Sequence, residues 1–295
     1  MNAALVALLA ALCYALSTVC QHRVAGNAPA ARGLGLALLW QLARRPLWLF
    51  GVLAGAAGVA LQALALSIGQ LVVVQPLLVS GMLFAIPASV VLQHRRPQLN
   101  EWLYAAVVVA GLTIFLLAAR PSPGLELAAP ARLFPAVAVC TGLLVVVVVL
   151  SASLGSGNRA WLLGLAAGTA FGVAGGLLKQ VVGELSGSPA SVLRSWPVYA
   201  LVALGLAGTA LAQVSFQAGS LAASQPALTI AEPLIAIGVG WFAFAEQLAV
   251  GPAARSGQII GFVLMSWAVI RLCVLTGAAP ASIPSQPIPY AEKKP

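Results

Sequence analysis

Three polar side chains in one apolar stretch have the spacing needed to line a binding cavity. Gln225, Thr229 and Glu232 are four and three residues apart, so they share one face of a helix. The stretch begins near Leu221, which places Glu232 eleven residues, or about 17 Å, along it. An acid at that depth of a membrane-spanning helix is costly to insert and usually faces a cavity or a partner. We therefore predict that Glu232 is the functional ionisable group, with burial favouring its protonated form so that it could carry protons.

Further amide side chains occur in neighbouring apolar stretches. Gln213 and Gln217 share a helical face before this stretch, and Gln62 and Gln75 are their counterparts in the first half of the chain. An alternative role is hydrogen bonding between helices, worth only about 0.6 kcal/mol per bond. We favour that alternative for Gln213 taken alone. Together, seven residues are predicted to bind substrate: Gln62, Gln75, Gln213, Gln217, Gln225, Thr229 and Glu232.

Prolines within the same stretches predict interrupted helices. Pro76, Pro226 and Pro233 each remove a backbone N–H and free the carbonyl four residues earlier, and Pro87 would do the same. In lipid such carbonyls need partners, so interrupted helices tend to line cavities enclosed by protein. The alternative is a simple packing kink, which is about equally good for Pro87.

The elements that must position these groups are membrane helices. Of 295 residues, 61% are hydrophobic and only 7% are charged, against roughly 25% charged in a soluble domain. The apolar stretches are about 20 residues long without period-two alternation, as a spanning helix requires. The fold class is therefore an all-α polytopic bundle of about nine transmembrane helices. The predicted spans are Ala3–Cys20, Leu47–Ile68, Leu71–Leu92, Trp102–Ala119, Leu133–Leu154, Trp161–Val182, Val198–Ala218, Leu221–Phe244 and Gly257–Leu275.

One further apolar segment leaves the number of helices open. Residues 30–43 are apolar but short and flanked by arginines, so we interpret them as an interfacial or half-inserted helix. With nine spans, the positive-inside rule places the N-terminus outside, because ten basic residues then lie inside and five outside. If residues 30–43 span, there are ten helices and the N-terminus is inside. The C-terminus is inside in both cases, and the location is the cell (inner or plasma) membrane.

Other classes of function find no support in the sequence. The net charge of +9 comes from scattered basic residues between apolar runs, not from a nucleic-acid-binding stripe. His22 and His94 have no acidic or cysteine neighbours, and there is no Walker motif. Cys13, Cys20 and Cys140, like the fourth cysteine, lack metal or disulfide spacing. We expect no enzyme, no cofactor and no metal site, and we leave a homodimer open.

The chain repeats itself at an offset of 150 residues. Gly58 matches Gly208, the pair Gln75-Pro76 matches Gln225-Pro226, and Gly111 matches Gly261. The first helix joins at an offset of 157, where Tyr14 aligns with Phe171 and His22 with Lys179. The units start five helices apart, so they would face opposite ways across the membrane, as in secondary transporters. The predicted organisation is a first repeat at 1–130, a connector helix at 131–160, a second repeat at 161–276 and a disordered tail at 277–295.

Two groups of residues resemble a known superfamily. The run from Gln217 to Pro226, with Glu232-Pro233 and Phe244-Ala245-Glu246 after it, is similar to the second half of bacterial drug/metabolite transporter (EamA-like) proteins. Arg44-Arg45-Pro46-Leu47-Trp48 through Gln75-Pro76-Leu77-Leu78 resembles the branch related to NIPA-type magnesium transporters. The resemblance covers residues 46–120 and 161–275. This chain departs from most ten-helix members at the second helix of each repeat, which is shortened here to Ala30–Ala43 and Ser188–Ser195.

These features predict a secondary transporter of a small polar metabolite or drug-like solute, and we consider proton coupling for it. The first alternative is a NIPA-type magnesium transporter, although a divalent cation prefers several carboxylate ligands and the chain has no Asp. The second alternative is a structural or accessory membrane protein. Lys179 is expected to extend towards the interface from the end of its helix, and Glu246 is expected to lie at the interface.

Overall fold

The computed structural model describes residues 2–26, 44–93, 98–122, 124–187, 192–218 and 221–277. The predicted segment at residues 30–43 and the predicted tail beyond Gly277 lie outside these residues. Ten helices occur within the described part of the chain: α1 (Ala3–Gly26), α2 (Pro46–Ile68), α3 (Leu71–Val79), α4 (Gly81–Gln93), α5 (Leu99–Ala119), α6 (Pro130–Ser151), α7 (Ser156–Gly187), α8 (Trp196–Ala218), α9 (Leu221–Ala243) and α10 (Pro252–Gly277).

These helices agree with the predicted nine spans. Seven are long and apolar enough to cross a membrane, and two shorter apolar stretches occur at Leu71–Ala85 and Trp196–Ala212. Helices α3 and α4 follow one another as a single interrupted span, which gives nine spans within the described residues. The chain is therefore an all-helical, multi-pass membrane protein. Helix α7, with 32 residues, extends beyond the predicted Trp161–Val182 at both ends.

The helix breaks differ from those that the prolines predicted. The first-half span breaks at Ser80, between α3 and α4, and not at Pro76, which lies inside α3. The Ser80 hydroxyl donates a hydrogen bond of 2.6 Å to the Leu77 carbonyl oxygen. In the second half, α9 is continuous through Pro226 and Pro233. A proline need not end a membrane helix, because neighbouring helices and local adjustments satisfy the freed backbone groups.

Helices α1 and α2 run antiparallel. Ala3 lies beside Gly69, Tyr14 beside Gly58 and Ser17 beside Gly55, so position rises on one helix as it falls on the other. The end of α1 and the start of α2 therefore lie at the same end of the bundle. This is the relative direction of α1 and α2 that the nine-span prediction gives.

Glycines on α7 bring it into close parallel contact with α9. Gly164, Gly168 and Gly172 lie beside backbone atoms of Ser224, Leu228 and Glu232, in the same order along both helices. Small residues allow helix backbones to approach in a membrane, where helix association depends on packing. This glycine stripe thus serves packing within the chain.

Helices α5 and α10 are in close contact at one glycine from each helix, Gly111 and Gly261. A β-carbon added at Gly111 would lie 2.7 Å from the Met265 nitrogen, and one added at Gly261 would lie 2.5 Å from the Phe115 nitrogen. The added carbon at Gly261 would also lie 2.7 Å from the Gly111 carbonyl oxygen. The two helix backbones therefore touch, and neither position has room for a methyl group.

We expect Gly111→Ala to destabilise the protein by about 1–3 kcal/mol, because backbone atoms cannot move aside as a flexible side chain can. The matched control is Gly205→Ala in α8, where nothing lies within 4 Å of an added β-carbon. That control should be neutral or stabilising by about 0.5–1 kcal/mol. Unfolding of the purified protein in detergent measures both, and equal shifts would show that the crossing tolerates a methyl group.

The outer surface of the bundle is apolar. Side chains such as Val139 and Val149 on α6 and Leu206 on α8 are more than 60% exposed. So much exposed apolar surface is unusual for a water-soluble monomer and indicates contact with lipid. The buried core lies between the halves and includes Leu71, Leu177 and Phe244.

Candidate functional site

A cluster of polar groups from α1, α2 and α9 lies near the middle of the bundle. The Tyr14 hydroxyl donates a 2.6 Å hydrogen bond to the Gln62 side-chain oxygen, and Gln62 is buried. Tyr14 also lies within range of electrostatic interaction with Glu232. Tyr14 and Glu232 are each eleven residues from one end of their helices, or about 17 Å. The cluster is therefore close to the midplane of an apolar core about 30 Å thick.

The other predicted residues of α9 lie on the same helix as Glu232, which is itself part of this cluster. Gln225, Thr229 and Glu232 are all half-buried on one side of the helix. The Glu232 carbonyl oxygen would lie 2.6 Å from a β-carbon added at Gly172, so its backbone packs tightly on α7. Gln213 and Gln217 belong to α8, but their side chains are outside the described part.

Gln75 is in a different position from the central cluster. Its side chain packs against Gly175 of α7 and is 1% exposed. Neither its amide nitrogen nor its amide oxygen has a hydrogen-bond partner among the described residues. A buried polar group without a partner costs about 1–3 kcal/mol, so an amide retained there needs an explanation other than stability.

We expect Gln75→Leu to leave the folded protein as stable as before, or more stable by up to about 1–3 kcal/mol, because it removes two unpaired polar atoms. The matched change Gln62→Leu should destabilise the protein, because it breaks a hydrogen bond to the Tyr14 hydroxyl. Thermal unfolding in detergent compares the two variants. A large loss of stability in Gln75→Leu would mean that the amide has a structural partner after all.

An ion pair contradicts two predictions made from the sequence. The ammonium group of Lys179 on α7 donates to the carboxylate of Glu246, and both side chains are buried. Lys179 therefore does not extend out of the bundle, and Glu246, although it follows the end of α9, is buried rather than exposed at the interface. Glu246 also accepts hydrogen bonds from the backbone nitrogens of Leu71, at 2.8 Å, and Val72, at 2.9 Å. The reason is that the chain after α9 folds back over the start of α3, where unpaired N–H groups attract a carboxylate.

Two features of the sequence could have indicated this pair. Lys179 is the single lysine in the region of the helices, and a buried ammonium needs an anionic partner. Glu246 closely follows an apolar stretch, so it was within reach of a helix end. Neither feature identifies the partner, because the contact joins residues 67 positions apart. Tyr14 was likewise missed as a site residue, although it has a polar group in the middle of an apolar helix.

One curated protein resembles this chain over most of its length. It is an uncharacterized protein of Corynebacterium glutamicum, 31% identical over 249 residues, which are 84% of this chain and 86% of that protein. The two belong to one family. No family model matches the chain, and no solved structure matches it. The site residues are therefore interpreted below from their own geometry.

Proposed function

We propose that the chain is a secondary transporter in the cell membrane that moves a small polar metabolite or drug-like solute by alternating access. The observation that carries this proposal is the polar cluster of Tyr14, Gln62 and Glu232 at the middle of the bundle. Two of its members come from the first half of the chain and the third comes from the second half. A midplane site shared between two halves is where secondary transporters bind substrate.

Matched contacts in the two halves support an inverted repeat. Tyr14 lies against Gly58 in the first half, and Phe171 lies against Gly208 in the second. These are the same positions at the offsets of 157 and 150 residues. Ala11 lies against Gly81 in the first half. The positions that match these two are Gly168 and Ala231, which also lie against each other, although the glycine and the alanine have changed places. Equivalent contacts at equivalent positions support the same arrangement of helices in the two halves.

The crossing of α5 and α10 supports a two-fold relation between the halves. Gly111 lies against Met265, and Phe115 lies against Gly261. At the offset of 150 residues, Gly111 matches Gly261 and Phe115 matches Met265. Each of the two contacts is therefore the repeat equivalent of the other. Reciprocal contacts of this kind are typical of a two-fold axis. An odd number of spans between the units would place that axis in the membrane plane.

The groups in the cluster suit an organic solute. A carboxyl, an amide and a phenol offer hydrogen-bond donors and acceptors of several geometries, and Gln225 and Thr229 add two more on the same side of α9. A divalent cation instead prefers several oxygen ligands, carboxylates above all. Nothing in this arrangement requires covalent chemistry, and we infer that the solute passes unchanged.

Purified protein offers a direct test. A panel of metabolites is screened for thermal stabilisation, with magnesium chloride as a separate arm. Solutes that stabilise are then added to proteoliposomes that contain a fluorescent pH dye. Solute-dependent quenching supports the transporter, and stabilisation by magnesium alone supports the cation transporter. Specific solute binding without accumulation of labelled solute would contradict transport and favour an accessory protein.

A further inference from the structure

The carboxylate of Glu246 joins the two halves of the chain at one end of the bundle, here termed the Glu246 end. It accepts from Lys179 on α7 of the second half and from the first two backbone nitrogens of α3 in the first half. Glu246 has no exposed surface, and the side chain of Lys179 is 7% exposed. The fully buried ring of Phe244 lies 4.6 Å from the Lys179 nitrogen. The Glu246 carboxylate thus accepts from three buried donors: the Lys179 ammonium group and the backbone nitrogens of Leu71 and Val72.

Backbone pairing between two loops closes the same end. The loop after α5 and the turn after α9 form an antiparallel bridge between Ser122 and Gln247. The Ser122 nitrogen donates to the Gln247 carbonyl at 3.0 Å, and the Leu125 nitrogen donates to the Phe244 carbonyl at 2.7 Å. These bonds join the first half to the second and lie directly beside Glu246 in the sequence.

The unpaired amide of Gln75 lies beneath this closure. Gln75 is one turn along α3 from Leu71, and Gly175, which it contacts, is one turn before Lys179 on α7. Glu232 is about 17 Å from the same end of α9. A solute entering at the Glu246 end would therefore meet Gln75 before it reaches the central cluster.

The repeat does not carry the residue types of this pair to the other end of the bundle. At the offset of 157 residues Lys179 corresponds to His22, and at the offset of 150 residues Glu246 corresponds to Arg96. Two basic residues therefore occupy the positions that match a base and an acid.

We propose that the Glu246–Lys179 pair on the start of α3 is the gate of the Glu246 end, and that it opens to admit solute past Gln75. This inference rests on the proposed transport function. Buried charges are held firmly while they are paired and dry, but each is readily hydrated once water enters. The gate therefore has two favourable states, closed and dry or open and wet, with an unfavourable intermediate between them. The distribution of basic residues predicts that this end faces outside.

Thiol labelling measures opening without a known substrate. In a background with Cys13, Cys20, Cys140 and Cys273 replaced by Ala, the reporter Gln75→Cys is exposed in intact cells to a membrane-impermeant maleimide. Glu246→Gln is expected to raise the labelling rate of this thiol by about tenfold or more. The reason is that a minor open state is typically populated at about 0.1–10%, and the substitution increases that population. The control Glu126→Gln removes a charge from an exposed loop residue at the same end and should leave the rate unchanged.

A disulfide across the loops tests whether they must part. Bridged residues in antiparallel pairs have Cα atoms about 4.5–5.5 Å apart, within the range of a disulfide. In the Glu246→Gln reporter, Ser122→Cys with Gln247→Cys should suppress labelling at position 75 after oxidation and restore it after reduction. Labelling is read by mass spectrometry on the peptide that contains position 75, because the two loop thiols also react with maleimide when they are reduced. Equal labelling of the oxidised and reduced forms would overturn the gate.

Two further outcomes keep this inference separate from the transport proposal. If Glu246→Gln does not fold, the double variant Lys179→Met with Glu246→Gln removes both charges and should label as fast. A folded double variant that labels at the background rate refutes the gate. Unhindered solute flux in the oxidised protein also refutes the gate but upholds transport, whereas gated labelling without any flux upholds the gate and refutes transport.

Discussion

Lys179→Met is expected to destabilise the protein by about 3–5 kcal/mol, the usual cost of removing one partner from a buried ion pair. The variant leaves the Glu246 carboxylate fully buried with only the backbone nitrogens of Leu71 and Val72 as donors. It also removes the ammonium group from the ring of Phe244. Unfolding of the purified protein in detergent measures the loss.

The double variant Lys179→Met with Glu246→Gln should recover part of that loss. A buried pair replaced by neutral groups of similar size is often nearly neutral, whereas a single unpaired charge is not. A double-mutant cycle therefore isolates the coupling between the two side chains. Arg255→Met, which removes an exposed cation at the same end, serves as the control and should change stability by less than about 0.5 kcal/mol. If the double variant loses the sum of the two single losses, the pair contributes no coupling.

Glu232→Gln is expected to abolish solute-driven proton movement in proteoliposomes. The substitution keeps the shape of the side chain and its contact with α7, but it removes the titratable proton. Solute binding should persist where the solute uses the hydrogen-bonding groups of Tyr14 and Gln62. The measurement is dye quenching against pH, with Glu126→Gln as a control that changes a carboxyl outside the bundle core.

An unchanged pH profile in Glu232→Gln would show that this acid is structural. Its role would then be to hold α9 against its neighbours, which is the common alternative for a polar group in a membrane helix. A loss of both binding and folding would be uninformative about protons, so thermal stability is measured on the same preparation. A stable variant with no proton movement and intact solute binding is the outcome that supports the proposal.

The sequence alone determined the class of the protein and located nine of its spans, and it left open whether residues 30–43 add a tenth. Membrane helices satisfy their backbone hydrogen bonds internally, so each apolar run of about 20 residues predicts its own helix without reference to the others. Glu232 was placed near the midplane by counting residues along one helix, and that position needs no knowledge of its neighbours.

Only the tertiary structure decided which polar groups meet. The hydrogen bond between Tyr14 and Gln62 joins helices through side chains 48 residues apart, and the pair of Lys179 and Glu246 spans 67 residues. The break at Ser80 and the continuity of α9 through two prolines were also decided by packing. In a membrane each polar group must find a partner, but which partner it finds depends on how the helices are arranged around it. That arrangement brings a loop acid onto the first turn of α3, a contact that no local pattern in the sequence specifies.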